Sequence, residues 1–268
     1  MRAMPSHISL QIVGLVSLLP LCVLALTARL RRDIFFWALL LGCALVCLSV
    51  FGRSISDGWQ AGFSAALWAS MAVSLVVFIG VSLANREAYR LSALLLPYLA
   101  ALALLALLFS AYAEAAPEIG SAAWFQAHVL LALASYGILT VGAIAGLAVL
   151  LQERALKQRQ SGWSERALPP LLVAENLQIR LLTWAAAFMA AALASGFANS
   201  LMGNGTWLQL SHKVLLSVLA FAVLLALLIV HRVTGLRGRR AARWVLAGYL
   251  LLTLGYPGVK FVKDVLIG

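Results

Sequence analysis

Uninterrupted apolar runs of bilayer-crossing length follow one another along nearly the whole chain, and they leave few folds open to it. Runs of about 20 residues are what an α-helix needs to cross the hydrocarbon core of a membrane. Backbone inside lipid has to satisfy its own N–H and C=O groups, so such runs read as helices. Eight are found, covering 8–27, 34–52, 62–84, 91–112, 124–151, 180–201, 213–231 and 241–262. A soluble domain would have to hide all of this surface. With 63% hydrophobic and 11% charged residues and a mean hydropathy of +0.99, 268 residues do not suffice for that. The expected fold is all-α: a polytopic bundle of about eight transmembrane helices forming one integral membrane domain over residues 1–268.

Basic residues give the bundle an orientation. Arg29, Arg31 and Arg32 follow the first span, and Arg86 and Arg90 follow the third. Arg154, Lys157, Arg159, Arg166 and Arg180 follow the fifth, and Arg232, Arg237, Arg239, Arg240 and Arg243 follow the seventh. The intervening connections and the termini hold Arg2, Arg53, Lys213, Lys260 and Lys263. The positive-inside rule then makes the odd-numbered connections cytoplasmic and turns both termini outward, toward the periplasm. Orientation and anionic lipid account for the formal charge of +11, and no nucleic-acid partner is needed.

The first span is not read as a cleaved secretory signal, because its basic cluster, "RLRR", follows the apolar run instead of preceding it. Cys22, Cys43 and Cys47 fall inside spans without a CxxC spacing, which disfavours thiol-relay chemistry and makes them packing residues. "GAIAG", Gly142 to Gly146, is a GxxxG pattern that permits close helix contact.

Two outward helix entrances carry histidine. In "WFQAHVLLALASY" Trp124 precedes His128 by about one helical turn, and in "WLQLSHKVLLSVLAF" Trp207 precedes His212 and Lys213. The topology puts both histidines on the outward side. Two imidazoles on different helices form a suitable axial pair for a haem iron; another metal, or hydrogen-bonded packing, are the alternatives. Zinc would want further Cys, His or carboxylate ligands, and the outer loops offer mainly Glu114 and Glu118. His128, Ala132, Ser135, Gly142 and Gly146 share helical spacing, a small and polar stripe that faces other helices. Trp124 and Trp207 would wall a porphyrin edge, or sit in the interfacial aromatic belt. Lys213 would pair with a propionate, or snorkel. His231 at the cytoplasmic end and His7 before the first span are weaker candidates.

In this order the features resemble the cytochrome c assembly protein family, the haem-handling membrane proteins typified by CcsA and CcmC, and within it the small YpjD-like and HemX-like branch. The likeness is carried by "HVLLALASYGILTVGAIAGLAVLLQERALK", "LPPLLVAENLQIRLLTWAAAFMAAALASG" and "SHKVLLSVLAFAVLLALLIVHRVTGLRGRRAARWVLAGYLLLTLGYPGVKFV". It implies a bacterial inner-membrane protein that handles haem b on its outer face, with His128 as the first outward ligand. The sequence departs from the larger haem exporters in lacking their tryptophan-rich outer segment and in ending "PGVKFVKDVLIG", without their second outward histidine. His212 is thus a ligand inferred from topology, not from the family.

The expectation is a haem-binding protein tied to cytochrome c maturation, with His128 and His212 on the iron and no enzymatic turnover, since no nucleophile, nucleotide loop or acid–base pair converges. Lipid, haem and proteins of cytochrome c maturation or haem biosynthesis are the expected partners. The alternative is a HemX-like regulator of a haem-biosynthetic enzyme, acting through the cytoplasmic segment "ERALKQRQSGWSERALPPLLVAEN".

Overall fold

A computed structural model describes residues 4–27, 31–56, 62–110, 123–159, 162–204, 212–235, 238–254 and 258. Among them are nine α-helices and no strand: α1 (Met4–Leu26), α2 (Ile34–Ser56), α3 (Phe63–Ala84), α4 (Ser92–Leu108), α5 (Ala123–Lys157), α6 (Trp163–Ala167), α7 (Leu171–Asn204), α8 (His212–Thr234) and α9 (Gly238–Thr253). A short 3₁₀ turn, Ala88–Leu91, leads into α4.

Seven described helices are long and apolar enough to cross a membrane, and they coincide with the first seven expected spans. The eighth, expected over 241–262, begins as α9; most of the chain beyond Thr253 lies outside the described residues. The polytopic helical bundle is therefore as expected, but two boundaries differ. α5 runs on to Lys157 and α7 starts at Leu171, so the supposed long cytoplasmic loop is largely helix. Hydropathy stops where the bilayer stops, whereas the good helix formers of "LQERALK" let the backbone continue.

α3 and α5 form the centre, with 61% and 67% of their spanning residues buried, while α1 and α8, at 22% and 17%, lie on the rim. α1 to α4 pack on one another, and α5, α7, α8 and α9 form the other half. Three glycines let α5 approach three neighbours. A Cβ on Gly137 would come within 2.7 Å of Val73 on α3, one on Gly142 within 3.3 Å of Leu181 on α7, and one on Gly146 within 3.5 Å of Gln178 on α7 and 3.7 Å of Ala242 on α9. The GxxxG pattern thus serves the contact with α7.

α9 runs antiparallel to α5 with polar contacts along its length. Tyr136 Oη lies 3.4 Å from Thr253 Oγ1 and 3.3 Å from Tyr249 Oη, and Thr140 Oγ1, which donates to the Tyr136 carbonyl at 2.8 Å, lies 3.3 Å from Tyr249 Oη. Tyr98 of α4 joins this cluster through Tyr249 Oη at 2.5 Å. At the other end of α9, Glu153 of α5 accepts from the Arg239 backbone N–H at 2.9 Å. Hydroxyls held this way inside a bilayer have no water to fall back on, which ties the helices together.

The basic connections gather at one end of the bundle and bind each other there. Trp163 Nε1 donates to the Leu26 carbonyl at 2.6 Å, Arg32 to the Ser82 carbonyl at 3.1 Å, and Arg90 to the Leu168 carbonyl at 3.4 Å. Gln152 donates to the carbonyls of Ser164 and Pro169, at 3.2 and 3.0 Å. Elsewhere, the Cys43 thiol donates to the Ser17 carbonyl at 3.0 Å, three residues before Pro20 of α1. The three cysteines are free, Cys43 and Cys47 buried and Cys22 partly so.

Candidate functional site

The antiparallel register of α5 and α7 builds the site. Gly146 meets Gln178 and Gly142 meets Leu181; extended toward the end opposite the basic connections, the same register brings His128 against Ala192, Ser195 and Gly196. Of the small and polar stripe expected on α5, His128, Gly142 and Gly146 face α7, and Gly146 faces α9 as well.

His128 is partly buried, and the chemistry of its partners fixes its proton. Nδ1 lies 2.9 Å from the Ala192 carbonyl oxygen and 3.0 Å from Ser195 Oγ. The Ser195 hydroxyl itself donates to the Ala192 carbonyl, at 2.8 Å. A carbonyl oxygen accepts and never donates, so Nδ1 carries the hydrogen and shares it between the two oxygens. In the neutral form of the ring the lone pair would then be on Nε2. Metal-ligating histidines are typically oriented by this kind of Nδ1–H contact to a backbone carbonyl.

The ring sits where α7 has no side chain. A Cβ at Gly196 would lie 2.8 Å from His128 Cε1 and 3.3 Å from Nδ1, so alanine there would overlap the imidazole.

Of the other residues singled out in the sequence, His212 opens α8. Trp124 lies in the first turn of α5. The side chains of both, and that of Lys213, are outside the described residues, as is Trp207 entirely. His231 lies at the basic end of α8, far along that helix from His212; its carbonyl accepts from Gly235 N at 2.9 Å, a helix-terminal role. Among the described residues no three His, Cys, Asp or Glu side chains are grouped to hold a metal ion; Glu114 and Glu118, the carboxylates of the zinc alternative, lie outside them.

Sequence reasoning missed Ser195 and Gly196. They occur in "ALASGFAN", an ordinary small-residue run, and their importance arises from the helix opposite. The available signal was the order of small residues on two adjacent spans, which an antiparallel pairing would have aligned.

The model of the family described as "Cytochrome C assembly protein" matches residues 27–267. An uncharacterised 28.8 kDa protein of Azospirillum brasilense is 44% identical over 245 residues, 88% of each chain. The inner membrane protein YpjD of Escherichia coli K12 is 27% identical over 228 residues, 83% of this chain and 84% of the relative. No solved structure matches. A family match over most of the chain and a multi-helix apolar bundle agree with one another: the chain belongs to the cytochrome c assembly protein family and is a multi-pass protein of the inner membrane.

Proposed function

We propose that this protein binds haem b at the end of the bundle that carries His128, on the periplasmic side, as a haem-handling component of cytochrome c maturation. One observation carries the reading: His128 is held by a backbone carbonyl in the tautomer that presents Nε2 as a ligand. A packing imidazole would make the same bond; the ligand reading is supported by its being an ionisable side chain within a membrane span, which is by default a functional group. His128 would supply one ligand to the iron. His212, at the start of α8 on the same end, would supply the other, with Trp124 and Trp207 as apolar walls and Lys213 near a propionate. The bound haem would provide the redox-active iron, and the protein would hold, orient and shield it without catalytic turnover.

The family gives the maturation context, and the orientation rests on the basic connections gathered at the opposite end. The regulatory alternative relies on the connection between α5 and α7. That connection has its indole N–H and several carbonyls engaged within the bundle, leaving Glu165 and Arg166 exposed in α6. Among the described residues of that connection nothing matches the built character of the His128 site.

The test is an absorption spectrum of the detergent-purified protein, oxidised and reduced, beside His128→Ala and His212→Ala. A low-spin haem spectrum that collapses in both variants is expected. A wild-type protein that stays haem-free after hemin is added back would sink the reading.

A further inference from the structure

We propose that Ser195 and Gly196 of α7 are positioning residues for His128, forming a seat that sets the tautomer, tilt and basicity of its imidazole. For its ligand this inference rests on the haem-binding reading; for its geometry it does not.

Two independent features point to a seat. The first is steric. Gly196 lies inside α7, which continues to Asn204, and glycine is a poor residue for a helix interior. Its value here is the missing Cβ, since that atom would stand 2.8 Å from His128 Cε1. The second is electronic. The Nδ1 proton is shared between the Ala192 carbonyl and Ser195 Oγ, at 2.9 and 3.0 Å, and the Ser195 hydroxyl is aimed by its own bond to that carbonyl. Serine commonly back-bonds in this way within a helix. Here the same bond points the oxygen lone pairs at the imidazole of another helix. An imidazole that donates more strongly through Nδ1 is a stronger ligand through Nε2. Ser195 therefore makes His128 a better iron ligand without touching the iron.

The two roles separate experimentally. Gly196→Ala should leave α7 as helical as before, or more so, while displacing the ring. Ser195→Ala keeps the slot and removes one of the two acceptors, and Ser195→Thr restores a hydroxyl at the same position.

The full-length wild type and the three variants would be prepared in detergent without haem and labelled with ¹⁵N-histidine. His128→Ala identifies the His128 resonances, and monodispersity with thermal unfolding reports folding. Hemin is then titrated in, and the midpoint potential of each loaded form is measured. The expected result is an Nδ1-protonated His128 in the wild type and a hemin affinity about tenfold to hundredfold weaker in Gly196→Ala. Ser195→Ala should shift both the ¹⁵N signals and the potential, the latter to more positive values because a less electron-rich imidazole stabilises ferric iron less. Ser195→Thr should reverse these shifts. Unchanged ¹⁵N signals in both Gly196→Ala and Ser195→Ala would overturn the seat. If Gly196→Ala fails to fold, the Ser195 pair decides alone. A wild-type Nδ1-protonated histidine that is perturbed in the variants, in a protein that takes up no hemin, would uphold the seat and reject the haem reading.

Discussion

Glu153 shows how much one side chain can decide at the edge of a membrane. Its Oε1 accepts from Arg239 N at 2.9 Å, and its Oε2 lies 3.9 Å from Arg239 Nε. A carboxylate of α5 thus caps the positive end of α9, where both the backbone N–H groups and the helix dipole favour it. Gly238 makes room for it twice over. Its φ of +65° is a left-handed conformation, and a Cβ there would overlap Glu153 Oε1. Gly238→Ala should lower stability by about 1–2 kcal/mol from the backbone alone, with a further loss as the carboxylate is pushed away. Thermal unfolding in detergent, with Glu153→Gln as the companion, reads the effect; a melting temperature equal to wild type would contradict it. In the sequence "GLRGR" is a basic run broken by two glycines, and Glu153 is one charge among basic neighbours. Their pairing was hidden because residues 153 and 238 meet through the packing of α5 on α9.

At the scale of helices, apolar run length located seven spans, and antiparallel register explains what run length could not. Along α5 the residues Tyr136, Thr140, Gly146 and Glu153 meet Thr253, Tyr249, Ala242 and Arg239 of α9 in reverse order. A single register therefore links four contacts, three of them polar. Tyr98, Tyr136 and Tyr249 each sit inside an apolar span, and no local pattern announces that they converge. Tyr249→Phe removes the hydroxyl common to Tyr98, Tyr136 and Thr140. Hydrogen bonds between membrane helices average a little under about 1 kcal/mol each, so a loss of roughly 1–2 kcal/mol is expected, measured by thermal or denaturant unfolding in mixed micelles. On the other face of α5, Gly142→Leu should force α7 away, because even a Cβ there would lie 3.3 Å from Leu181 Cβ. His128 would then lose its contacts on α7, and under the proposed haem binding a weaker hemin spectrum in Gly142→Leu at normal expression would show it. The GxxxG pattern was legible in the sequence; its dependence of site on seam was not.

For the molecule as a whole, the basic end fastens the two halves a further time, beside the packing of α3 on α5 and the Tyr98–Tyr249 bond. Trp163, between α5 and α7, donates to the last turn of α1, and Arg90, before α4, donates to Leu168. Trp163→Phe keeps the ring and removes the indole N–H, which should cost about 1 kcal/mol and open the connection to protease; unchanged digestion would argue against the fastening. The proposed orientation has its own check. Single cysteines at 58 and 159, in a background free of the three native ones, should react with a membrane-impermeant maleimide from outside at 58 and after permeabilisation at 159. The reverse pattern would invert the molecule and place His128 on the cytoplasmic side. Charge alternation along the sequence was enough to predict which connections share an end, because that signal is one-dimensional. The division into halves was not predictable, since it depends on which helices touch.

The pairing of α5 with α9 also sets a schedule for biosynthesis. α5 enters the membrane with Tyr136, Thr140 and Glu153 already on its surface, whereas their partners on α9 lie roughly a hundred residues later in the chain, a delay on the order of 5–20 s at ordinary rates of translation. The Thr140 hydroxyl is held meanwhile by the Tyr136 carbonyl at 2.8 Å, but throughout that interval the Tyr136 hydroxyl needs a partner, supplied by the insertion machinery or by a transient neighbour. Nascent chains halted before residue 238 should therefore remain crosslinkable to the insertase through α5, and release should come with α9.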